Sequence, residues 1–246
     1  PYGEPKYKDL IFKNLIILKD DGSFSLNMKY FNYETGFTMI TEEFTKLFGN
    51  PIRESNQLLV QFHMDVASSI QVAIEEIILR ICKSIQKEYK INNLCLAGGV
   101  ALNCVANGKI LKNKIFKNLW IQPAAGDAGG SLGAALGYWH QDLNMERAVQ
   151  IKDKMKGSFL GPKFNNEDIQ KDLDFLKARY HKKTNQEVLK EIAGYLKDNK
   201  TVGWFQGRME FGPRALGCRS ILGNPQSEKM QKELNLKIKF RESFRP

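Results

Sequence analysis

The sequence predicts an α/β fold, and three observations carry that prediction. A short β-patterned run, a glycine-rich turn and a helical pattern follow one another twice, from Asn93 to Leu111 and again from Asn118 to Leu143. Ahead of them, Phe62, Val66, Ile70, Ile74, Ile77, Ile81 and Ile85 recur at three- and four-residue steps, the stripe of a long amphipathic helix. The chain has 246 residues, of which 42% are hydrophobic and 26% charged, enough to bury the core of one large domain or two modest ones.

Taken in order, Leu10 to Leu18 and Phe24 to Phe31 are apolar or aromatic runs joined by Asp20-Asp21-Gly22-Ser23, which predicts a hairpin of two strands. Thr41, the acidic pair Glu42-Glu43 and the stop Gly49-Asn50-Pro51 bracket a short helix. The long helix follows. Asn93 to Ala97 reads as a buried strand, Gly98-Gly99 as a turn, and Ala101 to Leu111 as a helix. Asn118 to Gln122 is the next strand, Pro123 to Gly130 a glycine-rich loop and Ser131 to Leu143 a small-residue helix. After a polar, Lys-rich connection near Gln150 to Pro162, Glu167 to Arg179 and Glu187 to Lys197 read as helices and Thr201 to Phe205 as a strand. The composition changes near residue 150, which divides the chain into residues 1–150 and 151–246.

Glycine and proline follow no fixed period, which excludes collagen and low-complexity linkers. No apolar run is long enough to span a bilayer and Pro1 to Lys8 hold no signal-peptide core, so the expectation is a cytoplasmic protein without a membrane partner. Cys82, Cys95, Cys104 and Cys218 show no CxxC spacing and are expected to be reduced thiols. The net charge of +10 is unevenly placed: residues 1–150 hold 16 Lys+Arg against 15 Asp+Glu, and residues 151–246 hold 21 against 12. Within that part residues 200–246 hold ten basic and four acidic side chains, which points to an anion bound there, whereas the lysines scattered over the predicted helices read as a solvated face.

Three constellations could carry chemistry. Leu96-Ala97-Gly98-Gly99-Val100-Ala101-Leu102-Asn103 leaves a strand and enters a helix through paired glycines. Bare backbone and unpaired N–H groups there suit a ribose or phosphate, although paired glycines at such a junction also serve close packing. In Pro123-Ala124-Ala125-Gly126-Asp127-Ala128-Gly129-Gly130-Ser131, the carboxylate of Asp127 stands among small residues, placed either to coordinate a metal or Mg-nucleotide or to cap the following helix. Gly207-Arg208-Met209-Glu210-Phe211-Gly212-Pro213-Arg214-Ala215-Leu216-Gly217-Cys218-Arg219-Ser220 carries three arginines and three glycines. Guanidinium forks match phosphate or carboxylate oxygens, and the glycines let a loop fold around a small anion, which Lys239, Arg241 and Arg245 could help enclose. His63, His140 and His181 show no i,i+4 metal spacing, and Cys218 has no histidine nearby in sequence to activate it as a nucleophile.

These three motifs together resemble those of the O-carbamoyltransferases of nodulation and antibiotic tailoring. The closing Ile238-Lys-Phe-Arg-Glu-Ser-Phe-Arg-Pro246 and the opening Pro1-Tyr-Gly-Glu-Pro-Lys-Tyr7 are similar to segments of that family as well. The resemblance implies that residues 1–150 are the C-terminal portion of an actin-like domain of sugar-kinase type. It likewise implies that residues 151–246 are a linker and the N-terminal portion of a YrdC-like domain. It implies an enzyme that makes carbamoyl-adenylate from carbamoyl phosphate and ATP and passes the carbamoyl group to a hydroxyl acceptor, usually a sugar. By that resemblance Gly98, Gly99, Val100 and Asn103 hold adenylate, with Lys239 and Arg241 as further nucleotide contacts. Asp127 binds a divalent metal, iron in the family, and Arg208, Arg214 and Arg219 hold carbamoyl phosphate and nucleotide phosphates.

The sequence departs from the family at two points. The paired metal-binding histidines belong to a preceding part of the family's first domain, and the second domain continues past the last residue here. Residues 1–246 alone are therefore expected to lack complete carbamoyltransferase activity. Two other classes fit the composition less well. A basic nucleic-acid-binding module lacks aromatics interleaved with basic residues on one face. An actin-like ATPase or sugar kinase has no use for the arginine-rich loop.

Overall fold

The computed structural model describes residues 2–54, 57–149, 152–243 and 245. The chain divides into two compact units, Pro1–Gln122 and Pro123–Pro246. The boundary expected near residue 150 falls at Gln150 and Ile151, outside the described residues, as do Pro1, Phe244 and Pro246 of the terminal motifs.

In the first unit, α1 (Lys8–Asn14) leads into β1 (Ile16–Leu18), which pairs antiparallel with β2 (Phe24–Leu26). The hairpin turn is where the sequence puts it, but the strands expected from Leu10 and up to Phe31 are corrected. Residues 8–14 are helical and Met28–Tyr30 is a 3₁₀ turn. The reason is tertiary. Ile11 and Leu15, one helical turn apart, are buried with Tyr30, Phe48 and Ala73, and the Tyr7 backbone N–H donates to the buried Ser69 hydroxyl. Asn27 ends β2 by accepting the Lys29 N–H on its side chain.

α2 (Glu42–Phe48) has the expected acidic first turn and ends at Gly49 in the left-handed region. The long stripe forms α3 (Gln61–Tyr89). Its inner face closes two cores, one around Ile11 and one around Cys82, Ile110 and Phe116. Full burial of an isoleucine such as Ile11 or Ile110 is worth about 1.5–3 kcal/mol. β3 (Asn93–Leu96), the 3₁₀ turn Gly99–Leu102, α4 (Cys104–Lys112) and β4 (Asn118–Ile121) follow, and β3 and β4 pair in parallel with Leu94 opposite Leu119. A helix joining two parallel strands is the α/β grammar read from the glycine turns.

The second unit opens with α5 (Asp127–Gly137), which begins four residues earlier than the pattern indicated and continues as a π turn over Tyr138–Asp142. α6 (Asn166–Phe175) starts at an Asn165 side-chain cap, and α7 (Asn185–Lys197) at a reciprocal Thr184–Glu187 capping box. β5 (Val202–Phe205) is the expected strand. Its partner β6 (Arg219–Leu222), antiparallel to it, and α8 (Met230–Glu233) were not legible in the sequence. Among the described residues no helix is long and apolar enough to cross a membrane.

Candidate functional site

The glycine turn after β3 lies in the first unit. Gly98 has φ 96° and ψ 158°, a conformation essentially confined to glycine. From there the backbone passes through the 3₁₀ turn into α4. Asn103 caps α4 by accepting the Ala106 N–H, and it exchanges two amide hydrogen bonds with Gln71 of α3. Gln71 also donates to the buried Glu75, which is paired with Lys109 of α4. Asn107, buried beneath the turn, donates to the Ala101 carbonyl at 2.7 Å. Asn103 is thus occupied in fastening the turn to α3, and Gly98, Gly99 and Val100 form its exposed surface. A Cβ on Gly98 or Gly99 would meet nothing within 4 Å, so the space above the backbone is open. Gly98→Ala is therefore expected to cost only the backbone strain, about 1–2 kcal/mol, while narrowing the approach to the turn. Thermal melting checks the first part; if the turn holds adenylate as the resemblance implies, an ATP titration of the intact protein should show weaker binding.

Asp127 and the arginine motif lie in the second unit. Gly126 is the cap residue of α5 and Asp127 its first helical residue, so the capping alternative for Asp127 does not hold. Its side chain is exposed and makes no hydrogen bond or ion pair with another described residue. The preceding Ala124 and Ala125 are buried, and Ala124 packs directly against Gly212, where a Cβ would come within 3.2 Å of the Ala124 Cα. This contact brings the Asp127 loop and the arginine loop together, although 85 residues separate Asp127 from Gly212. Among the described residues no group of three or more His, Cys, Asp or Glu side chains is arranged to hold a metal ion. Asp127 alone does not fit an iron or other divalent site.

The arginine motif, Gly207 to Ser220, takes up nearly all of the connection between β5 and β6, residues 206–218, and the first two residues of β6. Its base is closed by the Gln206 N–H on the Cys218 carbonyl at 2.9 Å. Gly207, Gly212 and Gly217 all have positive φ, at 59°, 119° and 102°, which lets the loop double back on itself. One edge is strapped by residues 158–162. The buried Ser158 and Phe211 bond through both backbone and hydroxyl, and Met209 exchanges bonds with Gly161 and Pro162. The Lys-rich connection gave no sign of this docking, because backbone hydrogen bonds leave no residue-type signature.

The three arginines have different surroundings. The Arg219 guanidinium lies 3.4 Å from the Phe205 ring centroid, directly across the β5–β6 pair, and one of its nitrogens donates to the carbonyls of Gln206, Gly207 and Cys218. Its other terminal nitrogen, Nη2, is buried without a hydrogen-bond partner among the described residues. Arg208 donates to the Gly161 carbonyl at 2.7 Å. Arg214 is exposed and makes no hydrogen bond or ion pair within the described residues. Lys239 is exposed, while Arg241 donates to the buried Asn235, which also holds the Ser243 and Arg245 carbonyls. Glu210 lies in the same motif and has no role in the sequence-based expectation. It is buried, and the N–H groups of Cys218 foremost, with Leu216 and Arg219, hold its carboxyl at about 2 against the burial that pushes it up. A carboxylate inside so basic a motif is the signal that could have found it. Its hold on the loop is complete above its unfolded value of about 4.5 and is lost as pH falls through about 2.

Comparison with known proteins agrees with these motifs. The family profile described as the carbamoyltransferase N-terminus matches residues 1–136, and that of the carbamoyltransferase C-terminus matches residues 193–246. An uncharacterized protein of Synechocystis is 56% identical over the whole chain, which covers 40% of that relative. Nodulation protein NolO of Bradyrhizobium diazoefficiens is 33% identical over the whole chain, covering 42% of its length, and NolNO of Sinorhizobium fredii 32% identical, covering 34%. The chain thus spans about 40% of the length of these relatives. With one profile covering the glycine turn and Asp127, the other the arginine loop, and whole-chain relatives above 30% identity, the chain belongs to the carbamoyltransferase family.

Proposed function

We propose that this chain is the nucleotide-turn and anion-loop portion of an O-carbamoyltransferase that uses carbamoyl phosphate and ATP. The observation that carries the reading is the arginine loop. Three positive-φ glycines and a buried carboxylate shape it, and Arg214 bonds to no other described residue. An exposed guanidinium on a shaped loop offers two parallel donors to a phosphate, and Arg208 adds a second positive charge. An anion oxygen reaching the loop interior would also satisfy Arg219 Nη2.

In the proposed reaction, water takes the phosphoryl group of carbamoyl phosphate as inorganic phosphate. The carbamate oxygen so freed attacks the α-phosphorus of ATP, and pyrophosphate leaves. The carbamoyl carbon of the adenylate is then attacked by a hydroxyl, a sugar hydroxyl by the resemblance, which loses its proton as AMP departs. The arginines neutralise charge that accumulates on phosphate oxygens, and the open Gly98-Gly99-Val100 turn accepts the nucleotide. A divalent metal would need ligands besides Asp127.

The test is exchange of labelled pyrophosphate into ATP by the intact protein. Exchange that requires carbamoyl phosphate is expected. ATP hydrolysis or phosphoryl transfer to a sugar without carbamoyl phosphate would instead mark an ATPase or kinase and overturn the reading.

A further inference from the structure

We propose that Glu210 is the positioning residue of the arginine loop, a buried carboxylate that sets the backbone from Leu216 to Arg219 and thereby the place at which Arg214 presents its charge. The inference rests on reading that loop as the carbamoyl phosphate site.

Electrostatics alone would keep a carboxylate out of an anion site, because like charge repels the ligand. Glu210 is nevertheless inside the loop and 7% exposed. One of its oxygens, Oε1, accepts the backbone N–H of Leu216 at 2.8 Å, of Cys218 at 2.8 Å and of Arg219 at 3.3 Å. Converging N–H groups of this kind form a nest that binds anions. Here the chain supplies its own anion, and the nest becomes a fastening.

The fastening falls where the loop needs it. Residues 211–215 carry Gly212 and Arg214 and have no strand ladder to hold them. Their leading end is held by Phe211 on Ser158, and their trailing end by Leu216 on Glu210. Released from Glu210, the N–H groups of Leu216, Cys218 and Arg219 would need other acceptors, and the trailing end would swing. An aspartate would be one methylene too short to reach. A glutamine would present a neutral acceptor beside an amide that can only donate.

A different role predicts the opposite sign. If Glu210 occupied a nest meant for the substrate anion, removing it would tighten binding. The experiment therefore compares Glu210→Gln, Glu210→Ala and Arg214→Ala in the intact protein. Carbamoyl phosphate is titrated at a temperature where circular dichroism shows every variant folded. Glu210→Ala should weaken carbamoyl phosphate about tenfold, as expected for several backbone hydrogen bonds losing a charged acceptor. Glu210→Gln should fall between Glu210→Ala and the parent, and the loss should lie in KM for carbamoyl phosphate rather than in kcat. The near-isosteric glutamine keeps the test decisive should the alanine variant fail to fold. Unchanged or tighter binding in the Glu210 variants, with Arg214→Ala weakened, would overturn the role of Glu210 alone. Unchanged binding in Arg214→Ala as well would overturn the reading of the loop itself.

Discussion

On the proposed function, Arg214→Ala in the intact protein is expected to reduce carbamoyl-phosphate-dependent pyrophosphate exchange about 100-fold at subsaturating carbamoyl phosphate, the scale on which loss of a charged, bidentate phosphate contact acts. The same change should leave stability within about 0.5 kcal/mol, the ordinary range for an exposed side chain without structural partners. The structure sets this dissociation between activity and stability. Arg214 is exposed and bonds to no described residue, so its removal breaks no fastening. Arg219 should behave differently, since its guanidinium stacks on Phe205 and ties three carbonyls, and losing it should lower stability as well. Arg214→Lys should recover only part of the activity, because an ammonium is a point charge where a guanidinium makes two parallel bonds. Exchange rates beside melting temperatures for the alanine and lysine variants decide the matter. A 100-fold loss that came with a large fall in melting temperature would assign Arg214 to the fold and not to the anion.

Gly22→Ala is expected to destabilise the first unit by about 3 kcal/mol, near the upper end of backbone strain once steric overlap is included. Gly22 has φ 87° at the β1–β2 turn, and a Cβ there would lie 2.4 Å from the backbone nitrogen of Ile81 in the middle of α3. No side chain can move aside to relieve a clash with helix backbone. Either the hairpin lifts from α3 or α3 bends. Gly98 provides the internal comparison, because its φ of 96° is just as foreign to alanine yet its Cβ meets open space. Gly22→Ala should therefore lower the melting temperature markedly more than Gly98→Ala, and Gly98→Ala should act on ATP binding. Equal shifts for the two would show that backbone strain, and not the contact with Ile81, sets the cost.

Much of the architecture could be read before any coordinates. α2 and α3 and the repeated strand, glycine turn and helix were legible because each has a local physical signature, whether a cap, a stripe or a turn residue. The apolar run from Leu10 to Leu18 suits either strand or helix by pattern, and only packing of Ile11 and Leu15 beside Tyr30, Phe48 and Ala73 selects the helix α1. β6 was hidden for a related reason. Arg219-Ser220-Ile221-Leu222 has little strand character until it pairs with β5.

The candidate site divides along the same line. Sequence alone determined the residue types: glycines where the backbone must turn or be approached, one carboxylate at Asp127, and arginines in a basic second part. Those choices follow from local chemistry and charge. Tertiary structure decided which of them share a place and which are free to act. It packed Ala124 against Gly212, joining two motifs distant in sequence, and it engaged Asn103 and Arg219 in holding the fold while leaving Arg214 without a partner among the described residues. It also buried Glu210 among three backbone donors. Hydrogen bonds to backbone and contacts between distant segments depend on where the chain returns to itself, and residue type does not encode that return locally.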